Sequence, residues 1–127
     1  MTYSAAEWLE PRLVEVPPAL AAAIRECVAR MDRPVEPEGV PDFLAEVALQ
    51  ELDAGLGEPQ GRTGAIRLLA ADAILTYAFE AATTLGTDAR ALADRLGLKG
   101  EIGERLRAVR TGPEPASPVT PSLPGAE

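Results

Sequence analysis

The stretch that decides the fold is TGAIRLLAADAILTYAFEAATTL, residues 63–85. Its apolar side chains recur at intervals of three and four residues, which is the repeat of an α-helix. We predict a long helix over 64–85, capped by Thr63, at the centre of the fold. The predicted inner face consists of Ile66, Leu69, Ala70, Ala73, Ile74, Tyr77, Ala78 and Ala81.

Apolar side chains continue around this helix beyond its inner face, at Leu68, Leu75 and Phe79. The apolar side chains of a helix that is apolar nearly all round must be buried by neighbouring helices on every side, and a short chain has few such helices. An uncovered strip would be a binding surface, so these three residues are candidate interaction residues. Trp8 is a fourth, either as an anchor that docks the N-terminal segment on the body or as an exposed contact for a partner.

A narrow polar line, Asp72, Thr76 and Glu80, interrupts the same helix. One interpretation is that these residues form its solvent-exposed edge. The alternative is that they are buried polar groups, with Asp72 either in a salt bridge to an arginine of another helix or acting as a functional acid, because an unpaired buried carboxylate is costly.

The flanking sequence predicts further helices around the central one. Pro17 and Pro18 open a helix over 18–31, in which Cys27 belongs to the apolar stripe and is expected to be buried. A second helix over 41–55 is expected to stop at Gly55 and Gly57. Its acidic residues form either a solvated face, which is the favoured interpretation, or a docking surface for a basic partner: Asp42, Glu46, Glu51 and Asp53.

Shorter helices complete the prediction of an all-α bundle of five or six helices over about residues 4–110. Ser4 is expected to cap the first of them, and Thr87 or Asp88 the fifth. The domain prediction is a helical bundle over 1–111 followed by a disordered, proline-rich tail over 112–127, which either is an inert extension or presents a polyproline ligand.

Residues 69–80, LAADAILTYAFE, are similar to a helix of isoprenyl diphosphate synthases, in which a Leu-Ala-Gly-Asp-Ala run precedes an Ala-Phe pair. Those enzymes hold magnesium and diphosphate with an aspartate-rich motif. This chain has no adjacent pair of aspartates, and Ala71 stands in place of the glycine. We therefore transfer no activity from the resemblance, although a lipid- or isoprenoid-binding protein, with Tyr77 and Phe79 lining the ligand, stays open as an alternative.

Residues 89–109 resemble a helix-turn-helix, with Leu96-Gly97-Leu98 at the position of the turn. In that alternative, a DNA-binding regulator acts through residues 88–110, and the candidate DNA contacts are Lys99, Arg105 and Arg107. Gly103 departs from the pattern where an apolar residue belongs. An ordinary helical hairpin is therefore the favoured interpretation.

Composition excludes several classes of function. The chain has 127 residues, no histidine and one cysteine, which removes the commonest general base and metal ligand and any internal disulfide. No catalytic, metal-binding or cofactor-binding motif is present, so we expect a non-enzyme without a cofactor. Residues 1–60 carry four basic and twelve acidic side chains, and this negative charge repels the phosphate backbone, which disfavours nucleic-acid binding through this half.

The sequence carries neither a secretory signal nor a membrane span, which predicts a cytoplasmic protein. The function that these features favour is a non-catalytic protein-interaction module: a small subunit, an adaptor or a homodimer. Its expected partner is another protein or a second copy of itself, bound through an apolar helical surface.

Overall fold

The computed structural model describes residues 4–58, 61–97 and 100–110, and these residues form helices and turns without an extended β-strand. The helices are α1 (Ala5–Leu9), α2 (Pro18–Met31), α3 (Val40–Gly57), α4 (Arg62–Thr84), α5 (Ala89–Leu96) and α6 (Glu101–Arg110). The predicted all-α fold is confirmed. The proline-rich stretch 112–127 lies outside the described residues.

The caps at the helix ends explain where the helices begin. The Ser4 hydroxyl accepts a hydrogen bond from the Ala6 amide at 3.1 Å, and an Asp88 carboxylate oxygen accepts one from Ala91 at 3.0 Å, as predicted. The prediction that Thr63 caps the long helix is wrong. α4 begins at Arg62, two residues before the predicted start, and the residue before it is Gly61, which has no side chain to act as a cap.

The core lies where α2, α3 and α4 meet, and the α3–α4 contact is the most extensive between any two helices described. α4 contributes mostly alanines, which let the neighbouring backbones approach closely, while α3 contributes larger side chains. Both α2 and α3 pack on α4, as predicted. The main buried residues of the three helices are Ile24, Cys27, Val28, Phe43, Leu44, Val47, Ala70, Ile74, Ala78 and Ala81.

Gly55 does not stop α3, contrary to the prediction. The helix continues through Gly55 to Gly57, and Gly55 is buried against α4. A Cβ atom at this position would lie 2.7 Å from Leu68 Cδ2 and 3.3 Å from Arg67 Cβ. The glycine is therefore required for a close approach between the two helices rather than for termination.

By its internal contacts the chain divides into residues 1–94 and residues 95–127. In the second part, Ile102 is half-buried, whereas Leu106 and Val109 are exposed. The spacing of these three side chains, at intervals of four and three residues, predicts that all of them point inward, and this prediction is wrong for Leu106 and Val109. The predicted end of the helical domain, between residues 111 and 112, lies outside the described residues and stays a prediction.

Candidate functional site

A polar cluster lies between α2, α3 and α4, and its centre is Glu51. This side chain is 4% exposed and is the one buried charged residue in the described part of the chain. The prediction that Glu51 belongs to a solvated acidic face with Asp42 and Glu46 is therefore wrong. α3 contacts both α2 and α4, so its buried arc is wide enough to include Glu51.

Two arginines compensate the buried carboxylate. Arg30 of α2 donates from Nη2 to Glu51 Oε1 at 3.1 Å, and Arg67 of α4 places Nη1 3.8 Å from Glu51 Oε2. Arg67 Nε also lies 3.8 Å from Glu58 Oε2, just beyond the end of α3. The cluster ties three helices together, and its geometry satisfies the requirement that a buried charge be paired.

Cys27 lies beside Glu51 and is buried, as predicted. Burial raises the pKa of its thiol to about 12, and the hydrogen bond to Glu51 and the negative charge of that carboxylate act in the same direction. The nearby charges of Arg30 and Arg67 oppose the shift without reversing it. The thiol is therefore protonated at neutral pH, which is the opposite of what a nucleophilic cysteine requires.

Two adjoining clefts open from this cluster to the surface. One has a volume of about 310 Å³ and the other of about 460 Å³, and both are lined by Cys27, Arg30, Glu51 and Arg67. The smaller cleft is completed by Ala23, Glu26, Arg62, Thr63 and Ile66. Within the described residues no group of three or more His, Cys, Asp or Glu side chains is placed to hold a metal ion. The charged side chains of this lining can bind a charged group of a ligand.

A second candidate surface is the exposed apolar part of α4, formed by Ala65, Leu68 and Leu69, which we call the α4 strip. Leu68 is 36% exposed and Leu69 is 53% exposed. The prediction that Leu69 belongs to the inner face is wrong, because the buried face of α4 is centred on Ala70, Ala71 and Ile74 instead. A groove of about 390 Å³ beside the strip is lined by Gly55, Leu56, Glu58, Gly61, Gly64, Ala65 and Leu68.

The other predicted interaction residues are only partly accessible. Leu75 and Phe79 are half-buried on α4. Trp8 is also half-buried, and the Arg12 guanidinium lies over its ring at 3.6 Å from the centroid. Arg12 Nη1 donates to the Trp8 carbonyl oxygen at 2.8 Å, which further fixes the segment that carries the tryptophan.

Asp72, Thr76 and Glu80 are all exposed, so the solvent-edge interpretation is correct and the alternative of buried polar groups is wrong. Thr76 Oγ1 donates to the Asp72 carbonyl oxygen at 3.0 Å. Glu80 Oε2 accepts from Arg12 Nε at 2.8 Å, in an ion pair at the surface. These residues lie on the solvent-exposed side of α4.

The candidate DNA contacts are not brought together into a described site. Lys99 lies outside the described residues. Arg105 Nη1 contacts the Glu101 side chain at 3.4 Å on the same helix, and Arg107 is exposed. Tyr77 and Phe79, the candidate lipid-lining residues, line none of the three clefts described above, and the Tyr77 hydroxyl donates to the Arg12 carbonyl oxygen at 3.5 Å.

Comparison with models of protein families, with curated proteins and with solved structures found no match to this chain. In the part of the chain that the structure describes, no helix is both long and apolar enough to cross a membrane. The polar cluster and the α4 strip are the two candidate sites in the described residues.

Proposed function

We propose that this chain is a non-catalytic protein-interaction module that binds a second copy of itself through the α4 strip. The observation that carries the proposal is the position of Leu69, which is 53% exposed at the end of the α4 strip, on the longest helix described. Ala65 and Leu68 extend this surface, and the adjacent groove adds Leu56. Contiguous exposed apolar surface is a feature of protein-binding sites.

The charges at the two ends of the strip favour a second copy as the partner. Arg62 and Asp72 are both exposed, lie ten residues apart and share the face of α4 that carries Ala65 and Leu69. When two copies of α4 pack antiparallel about a twofold axis near residue 67, Arg62 of each copy faces Asp72 of the other. The same register places Ala65 of one copy opposite Leu69 of the other.

The spacing of these residues also suits helix–helix packing. Positions 62, 65, 69 and 72 alternate intervals of three and four, which is the seam of an antiparallel helical pair. The seam is short and contains one leucine from each copy, so we expect a weak, concentration-dependent dimer of the class whose interfaces bury less than about 1,200 Å².

Analytical ultracentrifugation of the full-length chain tests this proposal. The wild-type mass is expected to rise from 13.3 kDa towards twice that value as the concentration increases. Leu69→Glu should hold the chain at the monomer mass, because it buries a charge in the seam. Val14→Glu is the matched control, since Val14 is an exposed apolar residue outside the strip, at 79% exposure.

A charge swap tests the antiparallel register separately. Arg62→Asp alone and Asp72→Arg alone each place like charges opposite one another, so each should weaken dimerisation. Combining the two substitutions restores opposite charges at both positions and should restore the dimer. A wild-type chain that stays monomeric at every concentration contradicts the proposed function. If the wild type dimerises and the Arg62 and Asp72 variants dimerise equally well, only the proposed register is contradicted.

A further inference from the structure

The guanidinium of Arg67 has unmet hydrogen-bonding capacity beside the smaller cleft. It lies 3.8 Å from Glu51 and 3.8 Å from Glu58, and both separations are longer than a hydrogen bond. Among the described residues it donates no hydrogen bond, although an arginine carries five N–H donors. Its side chain is 31% exposed and lines the cleft, so a ligand in the cleft can reach it.

Two more arginines line the same cleft. Arg30 uses Nη2 for Glu51, and its side chain is half exposed. Arg62 is exposed at the start of α4 and forms no ion pair with another described residue. The lining thus contains three cations and two carboxylates, Glu26 and Glu51, in a chain whose net charge is −8. Glu58 also pairs with Arg67 from outside the lining, so the cations and carboxylates around the cleft balance in number. What the cleft offers an anion is the guanidinium of Arg62, which forms no ion pair with a described residue, and the N–H donors of Arg67 that no described group accepts.

The rest of the lining defines what else the ligand must carry. Thr63 adds a hydroxyl that can donate to an anion, while Ala23 and Ile66 add apolar surface. A volume of about 310 Å³ lies at the lower end of the range for ligand pockets, which is about 300–1,000 Å³. The cleft therefore suits a small molecule with one anionic end and one short apolar end.

From this combination we infer that the cleft between α2 and the beginning of α4 is a binding site for a small organic anion with a carboxylate or phosphate head group. Arg67 and Arg62 bind the head group, with Thr63 as an additional donor, and the apolar part lies against Ala23 and Ile66. Glu51 and Glu58 lie 3.8 Å from the Arg67 guanidinium, so they attract it electrostatically without accepting its N–H donors, which stay available to the head group.

Titration of the nitrogen-15-labelled full-length chain with phenyl phosphate, followed by NMR, tests the site. Saturable shifts are expected at the Arg67 Nε–H and at the amides of Thr63 and Ile66. Inorganic phosphate should bind more weakly, because it lacks the apolar part. Arg62→Gln should weaken phenyl phosphate binding about tenfold, the equivalent of about one charge-assisted hydrogen bond, and Thr63→Val should weaken it by a smaller factor.

Both substitutions replace exposed side chains, so neither is expected to disturb the core, and a thermal melt of each variant verifies this. Arg90→Gln removes an exposed arginine away from the cleft and should leave binding unchanged. Asp72→Asn removes the proposed dimer partner of Arg62 and changes no cleft residue, so this guanidinium becomes more available and binding should be equal or stronger. Weaker binding in this variant would show that the NMR shifts report the dimer and not the cleft.

Three results would overturn the inference. They are shifts that grow linearly without saturation, an affinity for inorganic phosphate equal to that for phenyl phosphate, and an affinity for phenyl phosphate that Arg62→Gln leaves unchanged. Each of these outcomes leaves the proposed dimer untouched, because dimerisation is measured by mass and not by ligand binding.

Discussion

Substitution of Gly55 by alanine probes the contact that brings α3 and α4 together. The new Cβ would lie 2.7 Å from Leu68 Cδ2, 3.0 Å from Leu68 Cγ and 3.3 Å from Arg67 Cβ. The first of these distances is far inside van der Waals contact, so either the leucine side chain or the helix must move. Overpacking of this kind costs about 1–3 kcal/mol.

A helix propensity term acts in the opposite direction. Alanine within a helix is favoured over glycine by about 1 kcal/mol. Because Leu68 is partly exposed, some of the clash is relieved by rotation of its side chain towards solvent. We therefore expect Gly55→Ala to lower the free energy of unfolding by about 1 kcal/mol, the difference between a clash of about 2 kcal/mol and the gain in propensity.

Urea denaturation followed by circular dichroism measures this difference in two backgrounds. In Leu68→Ala the obstructing Cγ and Cδ2 atoms are absent, so Gly55→Ala should become neutral or slightly stabilising, with a coupling of about 1–2 kcal/mol between the two sites. Gly57→Ala is the control, since a Cβ there meets nothing within 4 Å. Equal effects of Gly55→Ala in both backgrounds would refute the idea that the Leu68 contact requires this glycine.

The polar cluster gives two further predictions. Glu51→Ala should lower the free energy of unfolding by roughly 2–3 kcal/mol in urea denaturation, because Arg30 and Arg67 lose their buried partner. Glu51→Leu should recover part of that loss by filling the space, and an equal loss in both variants would contradict this. The raised pKa of Cys27 contributes stability that is full below pH 9 and is lost as the pH rises from 9 towards 12, since the unfolded thiol ionises first. Alkaline unfolding curves of the wild type and Cys27→Ala should therefore diverge over that range, and parallel curves would show that the thiol is not buried in solution.

Much of the fold follows from local sequence signals. The repeat of apolar residues predicts α2, α3 and α4 to within a few residues, because each helix is long enough for the pattern to be unmistakable. Ser4 and Asp88 predict their helix starts, since a capping side chain acts on amides within three residues of itself. These signals act along the chain and need no information about neighbouring helices.

The features that form the candidate site depend on neighbours that periodicity does not specify. The other acidic residues of α3 are exposed, and nothing in the sequence distinguishes Glu51 from them. Glu51 is buried because α2 and α4 both pack against its side of α3. Leu69 is similar in kind to the buried residues around it, yet the alanines of α4 take the buried positions. A glycine such as Gly55 is typical both of a helix end and of a close approach between two helices. The sequence of α3 does not distinguish the two, because the distinction depends on where α4 lies.

The two candidate surfaces share one structural origin in the small residues of α3 and α4. Gly55 and the buried alanines bring α4 so close to α3 that, apart from Ile74, the larger side chains of α4 lie on the flanks of the contact rather than within it. On one flank, Arg67 reaches the buried Glu51 and closes the polar cluster. Towards solvent, Leu68 and Leu69 are left as exposed apolar surface. A substitution that pushes the two helices apart is therefore expected to change both surfaces together, whereas changes at Leu69 or Thr63 affect one and leave the other intact.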